Sequence, residues 1–180
     1  MSSHLEFKSW VGFPIEKVFL FFADPANLPR LMPPITDTHI DTVRLVPPPV
    51  TSIQLTSEQQ RSLAGIGSEI VTSFRVLPPL PLRGRWVAKI TAFRWNEVFE
   101  DVQLQGPFKS WHHRHELVSE VREDKQGTLV IDKVAYAFGL GPLDPLIEAL
   151  VSKRIEGIFT HRQRILPDLF AGLTGKSSEK

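Results

Sequence analysis

Residues 143–170, near the carboxyl end of the chain, read LDPLIEALVSKRIEGIFTHRQRILPDLF. The apolar side chains of this stretch recur every three to four residues, which predicts one long amphipathic helix. Gly141 or Asp144 is its expected cap, and Arg162 and Arg164 lie toward its C-terminal end, where positive charge is favoured. A helix of this length has to bury its apolar stripe against another element.

The chain before this helix predicts that element to be a β-sheet. Seven segments with alternating apolar and polar side chains predict seven strands. They are residues 5–11, 38–46, 68–77, 85–93, 97–105, 109–122 and 128–138. Short turns join the last four, which indicates antiparallel neighbours. The EDKQG sequence at residues 123–127 predicts a hairpin in which Gly127 takes a positive φ.

The connections near the amino end are helical and proline-rich. Residues 14–23 predict a helix directly after the first strand, since Pro14 suits the first turn. Four prolines in residues 24–34 limit the next segment to a short, broken second helix at 26–32. Residues 50–67 predict a polar flap with one helical turn, for which Ser57 is the expected N-cap and Gln60 its partner.

The order of these elements predicts an α+β architecture. An antiparallel sheet with one apolar face has to cover that face, and the only element long enough to do so is the C-terminal helix. We therefore predict a curved sheet of about seven strands that wraps around this helix. The length of 180 residues predicts a single domain over residues 1–172, followed by a disordered tail at 173–180.

Composition narrows the class of protein. The 21 Lys and Arg are scattered among 20 Asp and Glu, so no basic block predicts nucleic-acid binding. The absence of cysteine excludes disulfides and fits a reducing compartment, for which the cytoplasm is the default. The N-terminus lacks the pattern of a signal peptide, and the longest apolar run, residues 18–23, is too short to span a bilayer. We expect a soluble cytoplasmic protein without membrane insertion, and a homodimer is compatible with the sequence.

Three segments carry a resemblance to a known superfamily. They are FEDVQLQGPFKSWHHRHEL (residues 99–117), DKVAYAFGLGPL (132–143) and IFTHRQR (158–164). They resemble the pattern F-x-D-x-Q-x-x-G-P-F-x-x-W-x-H-x-H, then D-x-V-x-Y, G-x-L and I-F-x-x-R, of a bacterial branch of the START and birch-pollen-allergen (SRPBCC) superfamily. Members of this branch are described as ligand-binding or polyketide cyclase/dehydrase-like. Residues 38–83 depart from the pattern, because the 47–67 stretch is longer than it requires.

The resemblance implies a helix-grip fold. In this fold the sheet and the C-terminal helix enclose a hydrophobic cavity for a lipid, polyketide, terpenoid or aromatic molecule. Alternation along residues 109–122 then divides the histidine cluster, because successive side chains of a strand point to opposite faces. His113 and His115 point toward the cavity together with Trp111, whereas His112 and Arg114 point to solvent.

Strand pairing predicts which inner residues are neighbours. A tight 123–127 hairpin places His115 near Tyr136, Leu117 near Val134 and His113 near Phe138. A three-residue loop at 106–108 sets Asp101 opposite His113, Phe99 opposite His115 and Gln103 opposite Trp111. Hydrophobicity alone would bury Val98, Val102 and Leu104 and turn Asp101 outward. The family pattern favours Asp101 inward, and we follow it.

Thirteen residues are candidate ligand contacts, and core packing is an equally good explanation for the aromatic ones among them. The set comprises Trp86, Ile90, Phe99, Asp101, Gln103, Trp111, His113, His115, Val134, Tyr136, Phe138, Leu146 and Leu150.

Three functions are compatible with the sequence. The first is a protein that binds a small hydrophobic molecule. The second is a cyclase or dehydratase that uses Asp101 with His113 or His115 as acid–base groups, and the third is a regulatory protein whose ligand stabilises an interaction surface. Buried His and Asp are more often satisfied structural groups than catalysts. Two His and an Asp could form a metal triad, but the ordinary metal signatures are absent, so the sequence predicts neither a metal nor a cofactor.

Overall fold

A computed structural model describes residues 2–76, 80–139 and 144–175. In these residues seven antiparallel strands form one sheet in the order β1-β7-β6-β5-β4-β3-β2. The strands are β1 (Ser3–Val11), β2 (His39–Arg44), β3 (Glu69–Arg75), β4 (Arg83–Arg94), β5 (Val98–Gln105), β6 (Ser110–Arg122) and β7 (Lys125–Ala137). The sheet curves around a C-terminal helix, which confirms the predicted α+β helix-grip architecture.

The helices lie where the sequence predicts them. They are α1 (Ile15–Ala23), α2 (Leu28–Leu31), α3 (Ser57–Ser62) and α4 (Asp144–Gly175), with 3₁₀ turns at Pro25–Asn27 and Pro34–Thr36. The predicted tail therefore begins inside α4, and residues 176–180 lie outside the described residues. Helix α3 starts one residue earlier than expected. Its capping box joins Thr56 and Gln59, so the prediction of Ser57 and Gln60 is wrong.

Helix α4 packs along the concave face of the sheet through one stripe. Val151, Ile155, Phe159, Leu166 and Phe170 follow each other at intervals of four or seven residues and are buried or half-buried. This spacing keeps them on one side of a helix. The described part of the chain includes no helix that is long and apolar enough to cross a membrane.

The β6–β7 hairpin differs from its predicted form. Glu123 and Asp124 both take positive φ, at 49° and 61°. They form a two-residue hairpin turn, and positive φ at both positions suits the right-handed twist of the two flanking strands. Gly127 instead lies inside β7, opposite Glu120. A side chain at Gly127 would overlap the Trp10 ring, which explains the glycine by close packing and corrects the prediction of a positive φ there.

The core changes character along α4. At its C-terminal half, Leu166 and Phe170 join a tightly packed cluster with α1 that contains Phe19, Phe93 and Phe99. At its N-terminal half, a second cluster has four buried members, Val134, Tyr136, Ile155 and Phe159. Partly buried side chains surround them, among which are Phe108, Trp111 and Phe138. The concave face is therefore closed at one end and more open at the other.

Candidate ligand site on the concave face

The face assignment along β6 is confirmed. His113 and His115 are each 6% exposed, and Leu117 is also buried. His112 and Arg114 project from the opposite face, where both contact Glu100. The cluster of three histidines thus divides between two environments, because neighbouring strand residues face opposite sides.

The β5–β6 register is also confirmed. Asp101 pairs with His113, and Phe99 pairs with His115. The Asp101 side chain is only 16% exposed and its Oδ2 lies 3.5 Å from Nδ1 of His113. Leu104 is exposed, so the alternative in which Val98, Val102 and Leu104 form the buried face is wrong for Leu104.

The β6–β7 register was predicted four residues away from its true position. His115 pairs with Asp132, His113 with Val134 and Trp111 with Tyr136. The error follows from the turn, because placing Gly127 in the loop moved every β7 residue along the strand. Because of this error the sequence analysis did not place Asp132 opposite His115. Asp132 nevertheless lies on the same face of β7 as Val134 and Tyr136, and it is the charged residue on that face.

Asp132 is the centre of a buried charged network. Its Oδ1 lies 3.0 Å from Nε2 of His113 and 3.2 Å from Nη1 of Arg162, and both donate hydrogen bonds to it. Nδ1 of His115 lies 2.6 Å from the same oxygen but lacks the alignment of a hydrogen bond. Asp132 itself is 1% exposed and Arg162 is 5% exposed. The network joins β6 and β7 to α4.

Arg162 is the second functional candidate that the sequence analysis missed. We interpreted it as a charge favoured near a helix C-terminus, whereas it lies on the inner stripe of α4, three residues after Phe159. Its guanidinium covers the Phe159 ring at 4.7 Å. Its position could have been predicted from helical spacing, because Arg162 lies three residues after Phe159 and four before Leu166, both of which are buried.

The buried network shifts the pKa values of His113 and His115 in opposite directions. Burial by itself lowers the pKa of His113, but the Asp101 and Asp132 carboxylates outweigh burial, so this pKa is raised above its ordinary value. Burial and the adjacent His113 lower the pKa of His115 to about 4. Burial opposes ionisation of Asp132, yet its neighbours His115, Arg162 and His113 hold the pKa of this carboxyl well below the usual range. When His113 is protonated, two carboxylates therefore face two cations.

A cluster of five aromatic side chains occupies the more open end of the concave face. We call Trp86, Phe108, Trp111, Tyr136 and Phe138 the aromatic cluster. The Trp86 and Trp111 rings meet edge to face at 5.1 Å, and Phe108 lies 5.0 Å from Trp111 and 5.1 Å from Phe138. Tyr136 is fully buried and its hydroxyl lies 3.0 Å from Oγ of Ser152 on α4. The other four rings stay partly exposed.

The remaining predicted residues have different surroundings. Ile90 is buried against Ala64 and Ile70, and Val134 is buried in the second cluster. Phe99 stacks on His115 at 4.1 Å between ring centroids. Gln103 uses both ends of its amide to bind the backbone of Phe108, which braces the β5–β6 turn.

The two helix candidates do not join this group. Leu150 is 68% exposed, because the inner stripe of α4 runs through Val151 and not through Leu150. We remove it from the candidate lining as a correction. The side chain of Leu146 lies outside the described residues.

Comparisons with known proteins identify the fold. No protein-family model matches the sequence, and no curated protein is significantly similar to it. Among solved structures, ginseng major latex-like protein 151 from Panax ginseng is 12% identical with a TM-score of 0.60, covering 93% of this chain and 96% of that chain. Ara h 8.0201 is 17% identical with a TM-score of 0.52, covering 91% of this chain and 96% of that chain.

A third similar structure belongs to a longer protein. The nucleoside-diphosphate sugar epimerase from Corynebacterium glutamicum is 23% identical with a TM-score of 0.60, over 97% of this chain and 30% of that chain. At these identities the likeness concerns the fold. The chain has the helix-grip fold that the sequence resemblance implied.

Proposed function

We propose that the protein binds a small hydrophobic molecule between the sheet and α4, against the aromatic cluster. The single observation that carries this proposal is the partial exposure of four aromatic rings on a concave face. Aromatic side chains gain most from burial, and a concave apolar surface with a few polar groups is the usual form of a small-molecule site. A bound lipid, polyketide, terpenoid or aromatic compound would complete the burial.

The packing elsewhere in the core supports this location. The opposite end of the concave face is filled by rings such as Phe19 and Phe93, which meet edge to face at 5.1 Å. That end also has partly exposed rings, Phe13, Phe22 and Trp95, but they pack against a cluster of 13 buried side chains, whereas the cluster beside the aromatic rings has four. The ligand would therefore enter at the aromatic cluster and extend toward the buried network.

The polar groups nearby would orient the ligand. The Trp111 ring lies 6.3 Å from the His113 ring, so a molecule against the aromatic cluster can present a carbonyl or hydroxyl to the network. The hydroxyl pair of Tyr136 and Ser152 offers a second donor and acceptor. A few such groups in an apolar site fix orientation more than affinity.

The test uses an apolar fluorescent probe, 8-anilinonaphthalene-1-sulfonate, with native mass spectrometry of the purified protein. We expect saturable binding of one probe and at least tenfold weaker binding after Trp111→Leu. The matched control is Trp10→Leu, because Trp10 packs on the other side of the sheet against Gly127. Absence of saturable binding, or equal weakening by both variants, would contradict the proposal.

A second candidate function rests on one specific contact. His113 lies between the carboxylates of Asp101 and Asp132, which suits proton exchange in a cyclase or dehydratase. Once a bound molecule is identified, wild type and His113→Ala are compared for its conversion. Loss of conversion with retained binding supports catalysis, whereas the same absence of product from both proteins leaves ligand binding as the function.

A further inference from the structure

Three side chains with metal-binding atoms meet at the centre of the concave face. Asp101, His113 and His115 each offer one ligand atom, and these atoms lie within 4.8 Å of one another. Their positions are set by the backbone, because Asp101 pairs with His113 across the β5–β6 ladder and His115 follows on the same face. The side chains thus start from rigid neighbouring strands.

The distances are close to those of a coordinated ion. Tetrahedral ligands at about 2.1 Å from a metal lie roughly 3.4 Å apart. Oδ2 of Asp101 and Nδ1 of His113 are 3.5 Å apart. Since no separation exceeds 4.8 Å, each distance between ligand atoms would have to shorten by at most about 1.4 Å in a tetrahedral site.

The second independent observation is the position of Asp132. Metal-binding histidines usually direct their other ring nitrogen to a carboxylate, which fixes the ring and its tautomer. Asp132 accepts a hydrogen bond from Nε2 of His113, which leaves Nδ1 of His113 for an ion, and Oδ1 of Asp132 also lies 2.6 Å from Nδ1 of His115. Arg162 balances the charge of Asp132, which leaves Asp101 as the anionic ligand.

We propose that Asp101, His113 and His115 bind a divalent first-row transition metal ion such as Zn²⁺ or Fe²⁺. Two imidazoles and one carboxylate suit these ions better than Mg²⁺ or Ca²⁺, which prefer oxygen ligands alone. Three protein ligands leave a coordination position for water or for a ligand oxygen. The site stands on these residues and does not depend on the apolar ligand.

The test adds metal alone to the full chain after removal of bound metal with EDTA. We expect one Co²⁺ per chain, seen by its visible absorption, and competition by Zn²⁺ in calorimetry. Asp101→Asn should weaken binding at least 100-fold, whereas His112→Gln, which alters the outward-facing neighbour, should leave it unchanged. No stoichiometric binding, or equal affinity in both variants, overturns the proposal.

A measurement on the wild-type chain avoids reliance on folded variants. With ¹⁵N-labelled imidazoles, Zn²⁺ should shift the ring signals of His113 and His115 and leave that of His112 in place. Shifts confined to the other histidines would show a surface site and overturn the assignment.

Discussion

At the scale of single residues, Asp132 determines how the buried charges are arranged. A carboxylate in an apolar interior is costly unless it is paired and hydrogen-bonded. Asp132 meets this requirement through His113 and Arg162, which come from a neighbouring strand and from α4. Removing its charge would leave the Arg162 guanidinium buried without a partner anion.

We therefore predict that Asp132→Asn destabilises the protein by about 3–5 kcal/mol, the usual cost of breaking a buried ion pair. The measurement is the urea midpoint of unfolding. Asp168→Asn, on an exposed part of α4, is the matched control and should change the midpoint little. Equal midpoints for the two variants would show that the network does not stabilise the fold.

The lowered pKa of His115 predicts a pH dependence of the metal-free protein. The pKa of His115 is about 6.5 in the unfolded chain and about 4 in the folded protein. Between these pH values only the unfolded chain binds a proton at His115. The free energy of unfolding should fall as the pH drops through this window, by on the order of 3 kcal/mol. The raised pKa of His113 acts with the opposite sign and above 6.5.

Urea denaturation in the presence of EDTA, repeated between pH 7 and pH 4, measures how the free energy of unfolding depends on pH. This pH range covers the shift in the pKa of His115. His115→Gln should flatten this pH dependence, whereas His4→Gln, at an exposed position, should leave it as in wild type. A slope that persists in His115→Gln would assign the effect to other groups.

At the scale of elements, the β6–β7 hairpin shows what alternation can predict. Parity along a strand assigns each residue to a face, and this assignment was correct for His113, His115 and Tyr136. Register depends on which residues form the turn, and the sequence favoured Gly127 over Glu123 and Asp124. Two non-glycine residues at positive φ carry a weak sequence signal, so the register could not be predicted from the turn alone.

Substitutions in this hairpin should change the stability of the protein in opposite directions, depending on whether they fall in the turn or at Gly127. Replacing Glu123 by Asn and Asp124 by Gly should stabilise the protein by roughly 1 kcal/mol, because these residues accept positive φ more readily. Gly127→Ala should destabilise it by about 1–3 kcal/mol, since the new methyl group overlaps the Trp10 ring. Thermal unfolding compares the two. Stabilisation by Gly127→Ala would contradict this turn assignment.

At the scale of the whole molecule, the order of elements predicted the architecture because only α4 is long enough to cover the sheet. The β5–β6 contacts followed from a short loop and a family pattern. Asp132 and Arg162 are both positions of that pattern, as the D of D-x-V-x-Y and the R of I-F-x-x-R, but the pattern does not say that they pair. Their contact joins residues 30 positions apart on different elements, and only the packed structure brings them together.

The central claim is that the aromatic cluster binds an apolar molecule, and the chain has four tryptophans that report on it. Trp86 and Trp111 belong to the aromatic cluster and report on binding there. Trp10 and Trp95 are internal controls, since their indole N–H groups donate hydrogen bonds to the backbone carbonyls of Glu120 and Pro49. The most direct measurement follows the four indole signals by ¹H–¹⁵N NMR while 8-anilinonaphthalene-1-sulfonate is added. We expect saturable shifts of Trp86 and Trp111 with Trp10 and Trp95 unchanged; shifts of the control signals alone, or none at saturating probe, would contradict binding at the aromatic cluster.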